Sequence, residues 1–261
     1  MNIVVCIKQV PNTNEVRLDP KTGTLIREGV PSIINPDDKA GLEAALRLKD
    51  EQGAHVTALS MGPPQADTAL REALAMGADE AILVTDRAFG GADTWATAHT
   101  LAAALKKIPY DLIITGRQAI DGDTAQVGPQ IAENLNISNI SYAEEIKVEG
   151  NYVTVKRQFE DRYHIVKAKM PCLITALSEL NEPRYMTPGG IFDAYREKEV
   201  KILTRKDLDV KDEDIGLKGS PTRVIKTFTK SPKAAGTLVN NLNPQEAAEY
   251  MIGKLKEKFI I

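Results

Sequence analysis

Through the first half of the chain, short apolar runs alternate with longer stretches whose apolar residues recur every three or four positions. The runs "IVVCIKQV", "HVTALSMG", "AILVTD" and "DLIITG" read as buried strands. Between them, "NPDDKAGLEAALRLKDEQG" opens with proline and acids and closes with glycine, as a helix does, and Leu42, Ala45, Leu46 and Leu48 give it an apolar stripe. The stretches "ADTALREALAMG" and "DTWATAHTLAAALKK" read the same way, the second begun by Asp93 or Thr94. One excursion interrupts the alternation: "NEVRLDPKTGTLIREG" carries a Lys-Thr-Gly turn between two extended runs, which predicts a hairpin. Strands separated by helices of this length predict a parallel sheet with helices on both faces.

After Leu135 the period changes. "SYAEEIKVEGNYVTVKRQFEDRYHIVKAKMPCLITAL" alternates apolar and polar positions around a Glu-Gly-Asn turn, the pattern of antiparallel strands. From Glu182 onward regularity fades, until "NPQEAAEYMIGKLKEKFII" closes the chain with Ala248, Met251, Ile252, Leu255 and Phe259 on one helical face. Such a tail either folds back on its own domain or wraps a partner. The expected architecture is α/β, a doubly wound, mostly parallel, Rossmann-like sheet with antiparallel additions and an extended C-terminal arm. The expected division is a nucleotide-binding domain over residues 1–185, with residues 186–261 as an extended segment and helix packed on a partner subunit.

Composition narrows the function. A net charge of −3 over 261 residues offers no basic field for nucleic acid. No apolar run approaches the roughly 20 residues a membrane-spanning helix needs. Cys6 and Cys172 both sit in strand-like contexts, which suggests buried thiols in a reducing compartment and a cytoplasmic protein. P-loop, dinucleotide-fingerprint and nucleophile-elbow motifs are missing, and the histidines and cysteines show no metal spacing, so neither a hydrolase nor a metalloenzyme is indicated.

The informative loop is "GRQAIDGDTAQVGPQIAENL", between a buried strand and a helix. Should Asp123 or Thr124 cap that helix, the amides from Thr124 through Ala125, Gln126 and Val127 to Gly128 face outward at the positive end of the dipole, an anion site. Gly128 then permits close approach of a ligand, Gln126 donates from its side chain, and Asp121 accepts from a ribose or holds the loop. An ordinary βα loop with a good cap is the alternative. Three further stretches, "INPDDKAG", "SMGPPQ" and "FGGADTWATA", read individually as a helix start, a core methionine and a glycine loop. All four fall at the carboxyl ends of consecutive expected strands, where open α/β sheets bind ligands.

Together "IVVCIKQVPN", "INPDDKAGLEAALRLK", "ALREALAMGADEAILV", "GRQAIDGDTAQVGPQIAE" and "LNEPRYMT" resemble the β subunit of electron transfer flavoprotein, along the whole chain. The resemblance implies that Gly116, Arg117, Gln118, Asp121, Gly122 and the segment through Pro129 hold the phosphates of an adenine nucleotide, with Cys6, Asn35 to Asp38 and Met61 along the adenosine. It implies that the C-terminal arm embraces an α subunit. It also makes the turn with Leu180, Asn181, Glu182, Arg184 and Tyr185 a docking loop for acyl-CoA dehydrogenase, Leu180 being its anchor; a core leucine at the end of a strand is the other reading of that residue.

Within the family the same site holds AMP in ordinary electron carriers and a second FAD in the electron-bifurcating subgroup. "DGDTAQVGP" and "GGADTWATAHTLAAAL", with Asp93 and Thr94 at the helix cap, resemble the bifurcating versions. The expected function follows: FAD in this chain takes hydride from NADH, one electron passes to ferredoxin or flavodoxin, and the other reaches an acyl-CoA dehydrogenase through the α-subunit FAD. An AMP-bound carrier subunit is the alternative, and an adenine-nucleotide-binding regulatory module is the alternative of another class. No residue stands out as an acid, base or nucleophile.

Overall fold

In the computed structural model, which describes residues 1–12, 31–225 and 236–261, the apolar runs become strands of one nine-stranded sheet. In chain order the elements are β1 (Asn2–Cys6), β2 (Gln9–Pro11), β3 (Ser32–Ile34), α1 (Pro36–Gln52), β4 (His55–Met61), α2 (Asp67–Met76), β5 (Glu80–Val84) and α3 (Thr94–Leu105). There follow β6 (Leu112–Gly116), α4 (Val127–Leu135), β7 (Ser138–Glu149), β8 (Tyr152–Gln158), β9 (Tyr163–Lys169), β10 (Cys172–Ala176), α5 (Pro188–Arg196), β11 (Val200–Leu203) and α6 (Gly216–Gly219). These belong to one compact unit, Met1–Val224; a second, Ile225–Ile261, contains α7 (Pro244–Glu257).

The sheet order is β11-β5-β4-β1-β6-β10-β7-β8-β9. Pairing is parallel from β11 through β7 and antiparallel at β7–β8 and β8–β9. This is the doubly wound α/β architecture, and strand order reverses where β1 lies between β4 and β6, the place where such sheets open a ligand crevice. Alternate residues of each strand feed opposite faces. Ile3, Val5 and Ile114 join Leu42, Leu46, Leu70 and Leu74 of α1 and α2, while Val4, Ile113 and Leu173 join Leu101, Leu105 and Ile131 of α3 and α4.

The structure differs from the sequence reading in two places. The run "CLITA" is a parallel strand inserted between β6 and β7, not an antiparallel one; all its residues are buried, as a central strand covered on both faces requires. The antiparallel addition is the β7–β8–β9 meander, with Gly150 of the Glu-Gly-Asn turn at φ 57°. Residues 186–224 supply α5, α6 and the edge strand β11 to the first unit, so the boundary between compact units falls after Val224. The hairpin expected over residues 14–29 lies outside the described residues; β2 and β3 on either side of it pair antiparallel, Gln9 opposite Ile34.

Candidate functional site

A cavity of about 1250 Å³ opens at the carboxyl ends of β1, β4, β5 and β6. Of the residues singled out in the sequence, Cys6, Asp38, Met61, Asp93, Thr94, Gly116, Arg117, Gln118, Gly122 and the run Thr124 to Gly128 line it. Segments far apart in sequence therefore meet at one edge, because every parallel strand delivers its following loop to the same side.

The loop after β6 is built differently from the expectation. Asp123 and Ala125 have φ of 50° and 52°, left-handed values that no first helical turn accommodates, so α4 begins only at Val127 with Gln126 as N-cap. Asp123 accepts from Gln118 Nε2 at 2.9 Å and caps nothing. The first intrahelical bond runs from Gln130 N–H to the Gln126 carbonyl, which leaves Val127 and Gly128 with amides outside the helical ladder; Pro129 has none to give. Asp121 holds the loop, its side chain 7% exposed and its Oδ1 2.7 Å from Lys8 Nζ.

The first turn of α1 braces this loop from behind. Asn35, fully buried and outside the cavity lining, donates from Nδ2 to the Gln118 carbonyl at 2.8 Å and accepts from Ile120 N–H at 3.0 Å. Asp38 accepts from the amides of Lys8 and Gly116, both at 2.8 Å, and so pins the ends of β1 and β6 together. A Cβ at Gly116 would run into that carboxylate, which is why glycine ends the strand. Asp37 accepts from Ser178 N–H at 3.0 Å and lies 3.5 Å from Arg117 Nε. Gly128 has a comparable role: a Cβ there would come within 2.6 Å of Thr115 Oγ1 and 2.9 Å of Thr175 Cγ2, so its missing side chain serves the packing of α4 on the sheet.

Across the cavity, α3 also points its N-terminus inward. Asp93 caps it by accepting from Ala96 N–H at 3.0 Å, and Thr94 Oγ1 donates to Gln126 Oε1 at 2.8 Å, tying the two helix starts together. The α4 start, with two amides outside the ladder, and Lys8, Arg87 and Arg117 in the walls suit a phosphorylated anion, while Asp93 already meets the α3 amides. Ser60 Oγ and Arg117 Nε are buried at this cavity without a hydrogen-bond partner among the described residues, as expected where a polar ligand completes the shell.

Burial pushes the Asp38 carboxyl up to about 7 against the pull of its amide donors. Burial and then the Asp38 charge push the Cys6 thiol up to about 12, so Cys6 is a neutral wall. Burial also opposes ionisation of Asp93, yet the amide of Ala96 and the donors of Thr222 hold its carboxyl below the usual range. Among the described residues no His/Cys/Asp/Glu group is arranged to hold a metal ion, and no helix is long and apolar enough to cross a membrane. Such an arrangement can bind and orient a polar ligand.

The expected docking turn divides. Leu180 is buried in the main core at 9% exposure. Arg184 pairs through Nε with Glu43 at 2.8 Å and through its other nitrogen with Asp50 at 2.7 Å, fastening the turn to α1. Asn181 is partly exposed, Glu182 is exposed, and Tyr185 stands 94% exposed. Sequence reasoning missed Lys8, Arg87 and Thr222 at the cavity; the last lies in a stretch with no periodicity to draw attention to it.

The profile of the electron transfer flavoprotein domain matches residues 22–208. The chain is 60% identical over 261 residues to the electron transfer flavoprotein subunit beta of Clostridium acetobutylicum, covering 100% of both chains. It is 55% identical over 263 residues to the caffeyl-CoA reductase-Etf complex subunit CarD of Acetobacterium woodii, again 100% of both. It is 47% identical over 272 residues to the acryloyl-CoA reductase electron transfer subunit gamma of Anaerotignum propionicum, with the same full coverage.

Proposed function

We propose, for a chain that belongs to the electron transfer flavoprotein family and matches its β subunits end to end, that the cavity holds FAD and serves electron bifurcation. The observation that carries this reading is the size of the cavity, which reaches from the α4 start across to Asp93 and Thr94 at the start of α3. At about 1250 Å³ the cavity exceeds the roughly 300–1,000 Å³ of common small-molecule pockets, as a diphosphate flanked by two ring systems requires. The lining fits that ligand: Cys6 and Met61 give an apolar wall for adenosine, Val127 and Gly128 offer free amides, and Arg117 and Lys8 balance charge.

When bound there, a flavin supplies the chemistry of accepting hydride from NADH and passing electrons on singly. The chain's own residues position it. Asn35, Asp38 and Asp121 fix the loop, Thr94 and Gln126 lock the helix starts, and the neutral Cys6 adds no charge beside the ligand. The acceptors proposed are ferredoxin or flavodoxin on one side and, through the α-subunit FAD, an acyl-CoA dehydrogenase on the other. Relatives named for caffeyl-CoA and acryloyl-CoA reductases support an acyl-CoA partner. A second reading, an AMP-bound carrier subunit, uses the same adenosine wall and α4 but leaves much of the cavity unfilled.

The deciding experiment denatures the purified heterodimer and quantifies released nucleotides by chromatography. Two FAD per heterodimer, little AMP, and NADH reduction of the FAD in this chain are the expected results. One FAD and one AMP would replace bifurcation with the ordinary carrier.

A further inference from the structure

The segment after β11 returns to the cavity mouth by contacts that the family reading does not need. Gly216 has φ 56° and packs so closely on the Ala88 carbonyl that a side chain there would collide with it. Leu217 N–H donates to the Gly90 carbonyl at 3.0 Å. Ser220, 8% exposed, accepts from Asp93 N–H at 2.8 Å and donates to the Gly216 carbonyl at 2.8 Å. Thr222 then gives two bonds to one carboxylate oxygen: its amide reaches Asp93 Oδ2 at 3.0 Å and its hydroxyl at 2.8 Å. Thr222 and Asp93 both line the cavity.

One carboxylate therefore does two jobs with its two oxygens. Oδ1 caps α3, whose start lines the cavity, and Oδ2 holds Thr222, the strap residue that reaches the cavity. Both depend on the same Asp93 conformation, so what favours the capped helix start favours the docked strap. We propose that residues 215–222 form a clasp on the cavity mouth, engaged through Asp93 and linked to nucleotide occupancy, with Thr222 a positioning residue for ligand retention. The inference rests on the reading of the cavity as a nucleotide site.

The test uses the intact heterodimer. Thr222→Val keeps the branched shape and the backbone bond but removes the hydroxyl, while Thr222→Ser restores the hydroxyl. After dilution, release of the nucleotide from this chain is followed by chromatography of the filtrate, with the α-subunit flavin as internal control. Loss of a hydrogen bond to a charged acceptor speaks for release at least about tenfold faster in Thr222→Val, with Thr222→Ser near wild type. In the wild-type heterodimer, hydrogen exchange at the Leu217 and Thr222 amides should slow when FAD is added to stripped protein. Wild-type release rates in Thr222→Val, or exchange at those amides indifferent to FAD, overturn the clasp while leaving the nucleotide site standing. A wild-type heterodimer with no nucleotide in this chain, and none taken up from added FAD or AMP, overturns both.

Discussion

At the scale of single residues, the site is held by groups whose roles show only when distant segments meet. Gly128 is the clearest. A ligand-approach role predicts that a bulkier residue acts only on the ligand, whereas contact with Thr115 and Thr175 makes Gly128→Val a packing lesion as well. The expected cost is about 1–3 kcal/mol of stability together with loss of the nucleotide, measured by denaturant midpoint and nucleotide content; an unchanged midpoint would return Gly128 to the ligand. Asp38 gives a pH signature. Its folded value near 7 lies above its unfolded value, so the folded state binds more protons between about pH 4 and 7, and this group's contribution to stability declines as pH rises through that window. Asp38→Asn should lower stability throughout, because an amide cannot accept from both Lys8 and Gly116 N–H, yet remove that decline. Denaturant midpoints from pH 5 to 8 that keep the wild-type slope would count against it. The sequence made these residues visible as acids and glycines in loops. Loop-holding was one of two roles open to Asp121, but the sequence did not show that Asn35 and Asp38 brace the same loop, since their partners, Gln118 and Gly116, come from other segments.

At the scale of elements, legibility followed period and length. The long helices and buried parallel strands were readable because their apolar spacing is strong and their ends carry proline, aspartate or glycine. The short elements were not: β11 spans 4 residues and α5 begins Pro-Gly-Gly, so neither shows a period against the charged background. The start of α4 lies later than the sequence suggests because Ala125 takes a left-handed φ that nothing in its side chain signals, and Asp123 takes one where a cap was expected. The turn after β10 shows a similar separation, with Leu180 in the core and Tyr185 in solvent. Leu180→Ala is therefore expected to cost about 2–5 kcal/mol of stability by leaving a cavity. Tyr185→Ala is expected to leave the unfolding midpoint unchanged but slow electron delivery to an acyl-CoA dehydrogenase, with NADH reduction of the flavin unaffected. Thermal unfolding and the two electron-transfer assays separate these outcomes. A stable Leu180→Ala with slowed delivery would make the leucine the anchor after all.

At the scale of the whole molecule, the two compact units differ in what supports them. The first contains both hydrophobic clusters, one on each face of the sheet. The second contains α7, a helix of 14 residues with none of them buried. Its start is well specified: Asn243 accepts from the amides of Gln245 and Glu246, and Glu246 reciprocates at the Asn243 amide. Capping of this kind contributes about 1 kcal/mol, and helices of roughly 12–15 residues are marginal in water without a surface to pack on. Met251, Ile252 and Leu255 are exposed on it, with Phe259 just beyond its end. Each such side chain stabilises an interface by about 1.5–3 kcal/mol when fully buried, so together they exceed what a solvated helix would retain. The proposal that the α subunit supplies this surface is tested by truncation. Truncation before Asn243 should weaken association with that subunit by at least about a hundredfold, after the costs of ordering the segment are set against the burial. The first unit, with its clusters intact, should keep its unfolding midpoint and its far-ultraviolet dichroism. Titration of the α subunit with full-length and truncated chains measures the difference directly, and equal dissociation constants would mean that α7 contributes nothing to the heterodimer.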